Sequence, residues 1–234
     1  MNNSIFNLEY TDFLLIVLFL IFILCIYLVK KFGGREDINL IEIDNFLNDD
    51  EINKIISKGS PKLQKSGLHA PDTFIDESIR KSETAFIPDD EITINIKKKA
   101  SKYTKLPWFN AEDLQLLKYN PGGKYEAHYD FFLSARDRDS IEYKKIIPEG
   151  GDRIYTFFIY LNDDFTGGET EFPNLGKKII PKKGKAVFWR NLHKDGSQNI
   201  FSKHSGNPVK SGIKYACNLW IREKKWSMLK MFNY

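Results

Sequence analysis

Several residue types are scarce in this chain, and each scarcity narrows the reading. Only two cysteines occur in 234 residues, Cys25 in an apolar N-terminal run and Cys217 in a strand-like segment. Their settings argue against a disulfide between them, and the lack of a disulfide framework leaves the redox compartment open. Neither charge sign dominates: 35 basic against 31 acidic residues give a net +4, which allows weak attraction to an acidic surface but does not signal a nucleic-acid binder. No lysine or arginine precedes Lys30, and no internal repeat or low-complexity segment is visible. Histidine is scarce as well, with His69, His128, His193 and His204. What is abundant is apolar surface, 42% of the residues, enough for a sizeable core in one domain plus an appendage.

The appendage is the run from Phe13 to Val29, seventeen uncharged and strongly apolar residues. As a helix it spans about 25 Å, near the lower limit for crossing a bilayer. A cleaved signal peptide would have a basic start and a small-residue cleavage site; here Glu9 and Asp12 precede the run, and Tyr27, Leu28, Val29 and Lys30 offer no such site. A buried core helix is disfavoured because the run has no polar face. The spacing therefore predicts a retained single-pass anchor with its linker over residues 1–34 and a catalytic or binding domain over 35–234. Lys30, Lys31 and Arg35 follow the span, so the positive-inside rule by itself puts that domain in the cytoplasm.

Beyond the Gly33-Gly34 linker, Ile38 to Phe46 reads as a first strand, and Asn48-Asp49-Asp50-Glu51 caps a helix to about Lys58. Ser60 to Glu77 is loop-rich. Arg80 to Phe86 reads as a strand, and Asp89-Asp90 starts a second helix with Ile92, Ile96, Ala100 and Tyr103 on one stripe. Lys97, Lys98 and Lys99 read as the solvated end of that helix, favoured by its dipole. From Trp108 onward the pattern is short strands divided by Gly and Pro turns: Leu114–Tyr119, Tyr125–Phe131, Arg153–Leu161, Glu169–Phe172, Lys177–Ile180, Ala186–Trp189, Phe201–Ser205 and Tyr215–Arg222. Such a series argues for a mainly β sandwich or barrel with flanking helices. Ser134 to Gly151, long and charged, reads as a lid or as a tolerated surface insertion.

Chemistry concentrates between His128 and Lys214. On a strand His128 and Asp130, two apart, point to one face, and His204 lies far downstream. Two imidazoles and one carboxylate are the facial set used by non-haem Fe(II) oxygenases, leaving open positions for a bidentate co-substrate and dioxygen. Ten residues after His204, Lys214 supplies a fixed cation for a carboxylate such as the far end of 2-oxoglutarate. Thr156 and Tyr160, four apart, share a strand face that excludes Arg153. Trp220, six residues after Lys214, shares that lysine's face.

The surrounding text makes the comparison specific. Leu114-Gln115-Leu116-Leu117-Lys118-Tyr119, Gly123-Lys124-Tyr125-Glu126-Ala127-His128-Tyr129-Asp130, Gly167-Gly168-Glu169-Thr170-Glu171-Phe172-Pro173, His204-Ser205-Gly206-Asn207-Pro208-Val209 and Gly212-Ile213-Lys214 follow one another in order. Together they resemble the prolyl 4-hydroxylase branch of the 2-oxoglutarate/Fe(II) dioxygenases, over about Ile41 to Trp226. The resemblance implies a double-stranded β-helix, or jelly roll, with iron at its mouth. It implies His128, Asp130 and His204 as iron ligands, and Lys214 paired with the distal carboxylate of 2-oxoglutarate. Tyr119, Thr156, Tyr160 and Trp220 are expected around the co-substrate, the bland reading of the aromatics being core packing. The implied reaction hydroxylates peptidyl proline to 4-hydroxyproline with Fe(II), 2-oxoglutarate and O2, releasing succinate and CO2, with L-ascorbate rescuing oxidised iron. Membrane-anchored relatives usually face the lumen of the endoplasmic reticulum. That opposes the charge rule, so an endomembrane location is expected with the side left open.

Other readings use the same residues. The iron site could hydroxylate lysine or another side chain. Nucleic-acid demethylases of this chemistry carry a further arginine pair after the second histidine; Arg222 is the only arginine after His204, so no nucleic-acid partner is expected. An inactive jelly-roll binding module is disfavoured by the intact His128, Asp130, His204 and Lys214. A structural membrane protein would show no 2-oxoglutarate turnover. Gly167-Gly168 reads as a turn and not as a phosphate cradle.

Overall fold

A computed structural model of the chain describes residues 10–32, 38–68, 75–132 and 150–226. It separates into two units, Met1–Glu36 and Asp37–Tyr234. The first contains one helix, α1 (Tyr10–Phe32). Its window Asp12–Val29 has a mean hydropathy of 3.1 and no buried residue. By length and composition α1 can cross a membrane, a test that an N-terminal signal sequence also passes. The Gly33-Gly34 linker and almost all of the Ser134–Gly151 segment lie outside the described residues.

The second unit is built on two antiparallel sheets. The larger, in spatial order, contains β1 (Ile41–Ile43), β11 (Ala186–Arg190), β7 (Arg153–Tyr160), β14 (Lys214–Arg222), β5 (Leu114–Tyr119), β4 (Glu83–Ile87) and β2 (Gln64–Lys65). The smaller contains β10 (Lys177–Ile179), β9 (Thr170–Phe172), β12 (His204–Gly206), β6 (Lys124–His128) and β3 (Arg80–Lys81). A two-stranded ladder pairs β8 (Thr166–Gly167) with β13 (Val209–Ser211). Among the described residues the unit also has two α-helices, α2 (Asp49–Gly59) and α3 (Glu91–Thr104), and short 3-10 turns. This is the expected jelly roll with flanking helices.

The helices begin where their caps dictate. The Asn48 side chain accepts the Glu51 N–H at 2.9 Å, and the Glu51 carboxylate accepts the Asn48 N–H at 3.0 Å, a reciprocal box that satisfies two otherwise orphaned donors. Asp90 and Thr93 repeat the device at α3. Ile52 and Ile55 of α2, with Ile96 and Ala100 of α3, bury against one face of the larger sheet, where they meet Phe157, Ile159, Cys217 and Leu219. The other face carries Tyr119, Phe158, Tyr160, Val187, Trp189 and Ala216, which pack with Phe172 and Ile179 of the smaller sheet. Strand β7 is therefore covered on both sides, which is why Phe157-Phe158-Ile159-Tyr160 is an unbroken apolar run instead of an alternating one.

Several sequence expectations change. The first strand shrinks to three residues because Asn39 and Asn45, at φ 47° and 53°, turn the chain on either side of it. The run Arg80–Phe86 is not one strand: Arg80 pairs with Tyr125 in the smaller sheet and Glu83 with Lys118 in the larger, so the chain crosses between sheets at Ser82. The loop-rich Ser60–Glu77 contributes the short β2. Phe201 and Ser202 form a 3-10 turn, and the strand starts only at His204. Lys97 is not solvated. It is 1% exposed and paired with Asp89 and, at 3.7 Å, with Asp113, because its place beside Ile96 turns it towards the sheet, where carboxylates can meet its charge.

Candidate metal centre

His128 closes β6 and His204 opens β12, and the two are direct partners across the ladder. Asp130 is not a strand residue as the two-residue spacing implies; it lies in a bend after β6 ends. The three side chains still converge. Their ligand atoms lie within 4.8 Å of one another, with Asp130 Oδ1 3.7 Å from His128 Nε2 and Asp130 Oδ2 3.7 Å from His204 Nε2.

Each imidazole is oriented from behind. His128 Nδ1 lies 2.8 Å from the Glu126 carbonyl and His204 Nδ1 3.0 Å from the Ser202 carbonyl. A carbonyl only accepts, so each Nδ1 carries the proton and each Nε2 presents a lone pair. Burial, and then the facing His204, hold the His128 pKa below the usual imidazole range. Burial works against the charge on Asp130, but positive charge on His204 and His128 when they are protonated, the Arg153 guanidinium and the Thr156 hydroxyl outweigh it and lower its pKa. Two neutral imidazoles and one carboxylate, converging in a buried site, fit a divalent first-row metal such as Fe(II). Tyr125 stacks on His128 at 3.6 Å between ring centroids, and Trp189 packs edge-on against His204 at 4.7 Å.

Thr156 lies mid-strand in β7, and its hydroxyl meets Asp130 Oδ2 at 2.7 Å. The Asn191 amide donates to the same hydroxyl at 2.9 Å. Arg153 departs from the alternation that places it opposite Thr156. The register steps from Ile221↔Tyr155 to Arg222↔Arg153, so Ile154 is an extra residue, and the bulge returns Arg153 to the site face. There its guanidinium lies 3.6 Å from the Trp220 ring centroid and forms a bidentate pair with Glu112 at 2.7 and 2.9 Å.

Farther along the same face, Lys214 is 1% exposed and sits across from Tyr119 in the β5–β14 register. Its ammonium donates to the Gly168 carbonyl at 2.7 Å, and the rings of Tyr119, Phe158 and Tyr160 surround it at 5.1, 4.9 and 5.2 Å. Tyr160 donates to Thr170 Oγ1 at 2.6 Å. Gly168, at φ +67°, admits this arrangement: a Cβ there would lie 3.2 Å from the Lys214 side chain. A lysine enclosed by rings, with one carbonyl partner among the described residues, has capacity for an anion.

Of the residues singled out from sequence, His128, Asp130 and His204 form one cluster, and Lys214, Tyr119 and Tyr160 a second. Thr156 touches Asp130, and Trp220 holds Arg153. Sequence reasoning passed over Phe158 and Thr170, although strand alternation puts Phe158 beside Tyr160 and Thr170 beside Phe172. Asn191 had no local signal at all.

The model of the 2OG-Fe(II) oxygenase superfamily matches residues 114–222. Over 190 residues the chain is 34% identical to the prolyl 4-hydroxylase subunit alpha-2 of Gallus gallus, a match that covers 80% of this chain and 34% of that one. The chain thus spans about a third of the length of this and similar alpha subunits. It is also 34% identical over 187 residues to a putative prolyl 4-hydroxylase of Acanthamoeba polyphaga mimivirus, covering 79% of this chain and 74% of that one. Among solved structures, the viral collagen prolyl hydroxylase of Paramecium Bursaria Chlorella virus-1, in complex with 2-oxoglutarate, superposes with a TM-score of 0.62 at 30% identity, covering 78% of this chain and 95% of that one.

Proposed function

The chain belongs to the prolyl 4-hydroxylase family of 2-oxoglutarate/Fe(II) oxygenases, and on that premise we propose that it hydroxylates peptidyl proline to 4-hydroxyproline. The observation that carries this reading is the convergence of His128, Asp130 and His204 on the same sheet-to-sheet interior that holds the enclosed Lys214. When bound, Fe(II) and 2-oxoglutarate supply the oxidative chemistry, in which dioxygen is consumed, succinate and CO2 are released and one oxygen atom reaches the proline.

The protein's part is holding and excluding. His128 and His204 offer Nε2 to the metal, and Asp130 offers the one negative charge. Lys214 pairs with the distal carboxylate of 2-oxoglutarate, with the rings of Tyr119, Phe158 and Tyr160 around its ammonium. Phe158 and the other rings keep water from the ammonium, which strengthens its attraction to a carboxylate. Trp220 and Arg153 pack on each other on the site face of the larger sheet, beside Thr156. L-ascorbate would keep the iron reduced between turnovers.

Residues 1–34 act as a membrane anchor in this reading and 35–234 as the catalytic domain, with the endoplasmic reticulum or another endomembrane as the location; the apolar length of α1 supports it. The test is full-length protein in detergent, supplied with Fe(II), 2-oxoglutarate, ascorbate and a proline-rich peptide of polyproline II form, a pre-ordered ligand. Mass spectrometry should find one added oxygen on proline. Modification of lysine, with proline never modified, would overturn the substrate assignment.

A further inference from the structure

We propose that Thr156 and Asn191 form a relay that positions Asp130 for the metal; the inference rests on the iron-site reading above. The two histidines have their own order. They are registered strand partners, and each has its Nδ1 held by a carbonyl. Asp130 has no ladder to hold it, because β6 ends at His128. Among the described residues, its side chain accepts a hydrogen bond from Thr156 at 2.7 Å.

Thr156 is a rigid source for that bond. It lies in the middle of β7, paired with Trp189 on one side and Trp220 on the other, with no exposure to solvent. A hydroxyl has one proton to give, and the Asp130 carboxylate, which can only accept, takes it, provided that Asn191 offers the hydroxyl a donor and not a competing acceptor. The Asn191 amide donates to Thr156 Oγ1 at 2.9 Å, so the hydroxyl accepts there and donates to Asp130. The reverse amide orientation would draw the proton towards Asn191 and leave two oxygens 2.7 Å apart with no hydrogen between them.

The Asn191 backbone is itself fixed, and it reaches both arms of the site. Its N–H donates to the Ile154 carbonyl at 2.7 Å. Its backbone carbonyl takes the longer branch of the Ser202 hydroxyl's contact, 3.3 Å against 2.7 Å to the Asn199 carbonyl, and the Ser202 carbonyl is the group that orients His204. One buried asparagine thereby connects the carboxylate ligand and the distal histidine. In the relay Thr156 acts through Asp130, which makes it a positioning residue.

The test titrates Mn(II) into full-length protein in detergent, reading free ion by electron paramagnetic resonance, for wild type, Asp130→Ala, Thr156→Val, Thr156→Ser, Asn191→Leu and the Thr156→Val/Asn191→Leu double variant. Thr156→Val keeps the shape and removes the donor; it should weaken Mn(II) binding by about 10- to 100-fold, as loss of a hydrogen-bond partner behind a ligand does. Thr156→Ser should restore most of the affinity. Asn191→Leu should weaken binding in the wild-type background and add nothing in the Thr156→Val background. At saturating metal the KM for 2-oxoglutarate should stay unchanged in Thr156→Val. Wild-type Mn(II) affinity in Thr156→Val, or a raised 2-oxoglutarate KM with metal affinity intact, would overturn the relay. If Thr156→Val does not fold by circular dichroism, Asn191→Leu decides, and undiminished metal affinity there overturns it equally. Failure of the underlying iron-site reading looks different: Asp130→Ala would then bind Mn(II) as wild type does.

Discussion

His128 and His204 stand opposite each other on neighbouring antiparallel strands, their ring centroids 4.3 Å apart. Two ligands far apart in sequence are thus set by a single rung of one ladder, and Asp130 supplies the third group and the only charge. Asp130→Ala should abolish iron binding and 2-oxoglutarate-dependent succinate release together. A chelator should reversibly silence the wild type, with Fe(II) restoring it. Metal analysis alongside succinate release checks both; an Asp130→Ala protein that retained iron and turnover would remove this carboxylate from the site.

Lys214→Ala leaves that trio intact and removes a charge-assisted contact of about 1.5–3 kcal/mol to a carboxylate. The 2-oxoglutarate affinity should fall roughly 10- to 150-fold with iron still bound. Excess 2-oxoglutarate should recover part of the activity, which it cannot do in Asp130→Ala. Lys214→Arg keeps the charge but not the shape and should fall between. Succinate release against 2-oxoglutarate concentration is the measurement, and an unchanged curve in Lys214→Ala would assign the anchor to another residue.

The same lysine predicts a pH signature. Burial lowers its pKa from the ordinary 10.5 to about 7, with Glu169 opposing the shift. Between those values the unfolded chain holds a proton that the unliganded fold does not, so stability should rise with pH across that window. A bound carboxylate favours the charged ammonium, so 2-oxoglutarate binding near pH 8 should take up a proton. Calorimetry in two buffers of different ionisation enthalpy reads this directly, and Lys214→Arg should show no uptake. Buffer-independent heats for the wild type would argue that Lys214 is already charged.

If α1 is a retained anchor, full-length protein should stay in the membrane pellet after carbonate extraction, and a version beginning near Arg35 should be soluble. Appearance of the full-length protein in the carbonate supernatant would count against the anchor.

Phe157 is fully buried on the helix-covered face of the larger sheet, its ring stacked on Phe46 at 5.6 Å and tilted against Phe188 at 4.6 Å. Phe157→Ala should destabilise the fold by about 3–5 kcal/mol, seen as a lower denaturant midpoint. Because Phe157 faces away from the metal, the protein that remains folded should keep wild-type Mn(II) affinity.

Local pattern made the site largely readable. His128, Asp130, His204 and Lys214 sit in short stretches whose residue types and order carry the chemistry; Tyr160 follows from strand alternation, and Tyr119 only from the family resemblance. The failures share a cause, which is contact with something distant in sequence. Lys97 reads as solvated until Asp89 and Asp113 come to meet it. Ser82 marks a crossing between sheets that no residue type announces. Asn191 matters only because the fold brings it to Thr156. The two-residue strands β2 and β8 are too short to have a period at all.

The extra residue at Ile154 has an evolutionary reading. Strand β7 carries two interleaved sets of side chains, one for the helices and one for the site, and inserting or deleting a single residue in it exchanges the sets. Such an event in the middle of β7 would send Phe157 towards the metal and Phe158 towards the helices, losing both functions at once. At the strand's first turn the exchange reaches only Arg153, and it delivers that arginine to Trp220 and Glu112. The end of a strand is where a one-residue change in length can add a group to an active site without rewriting the core behind it.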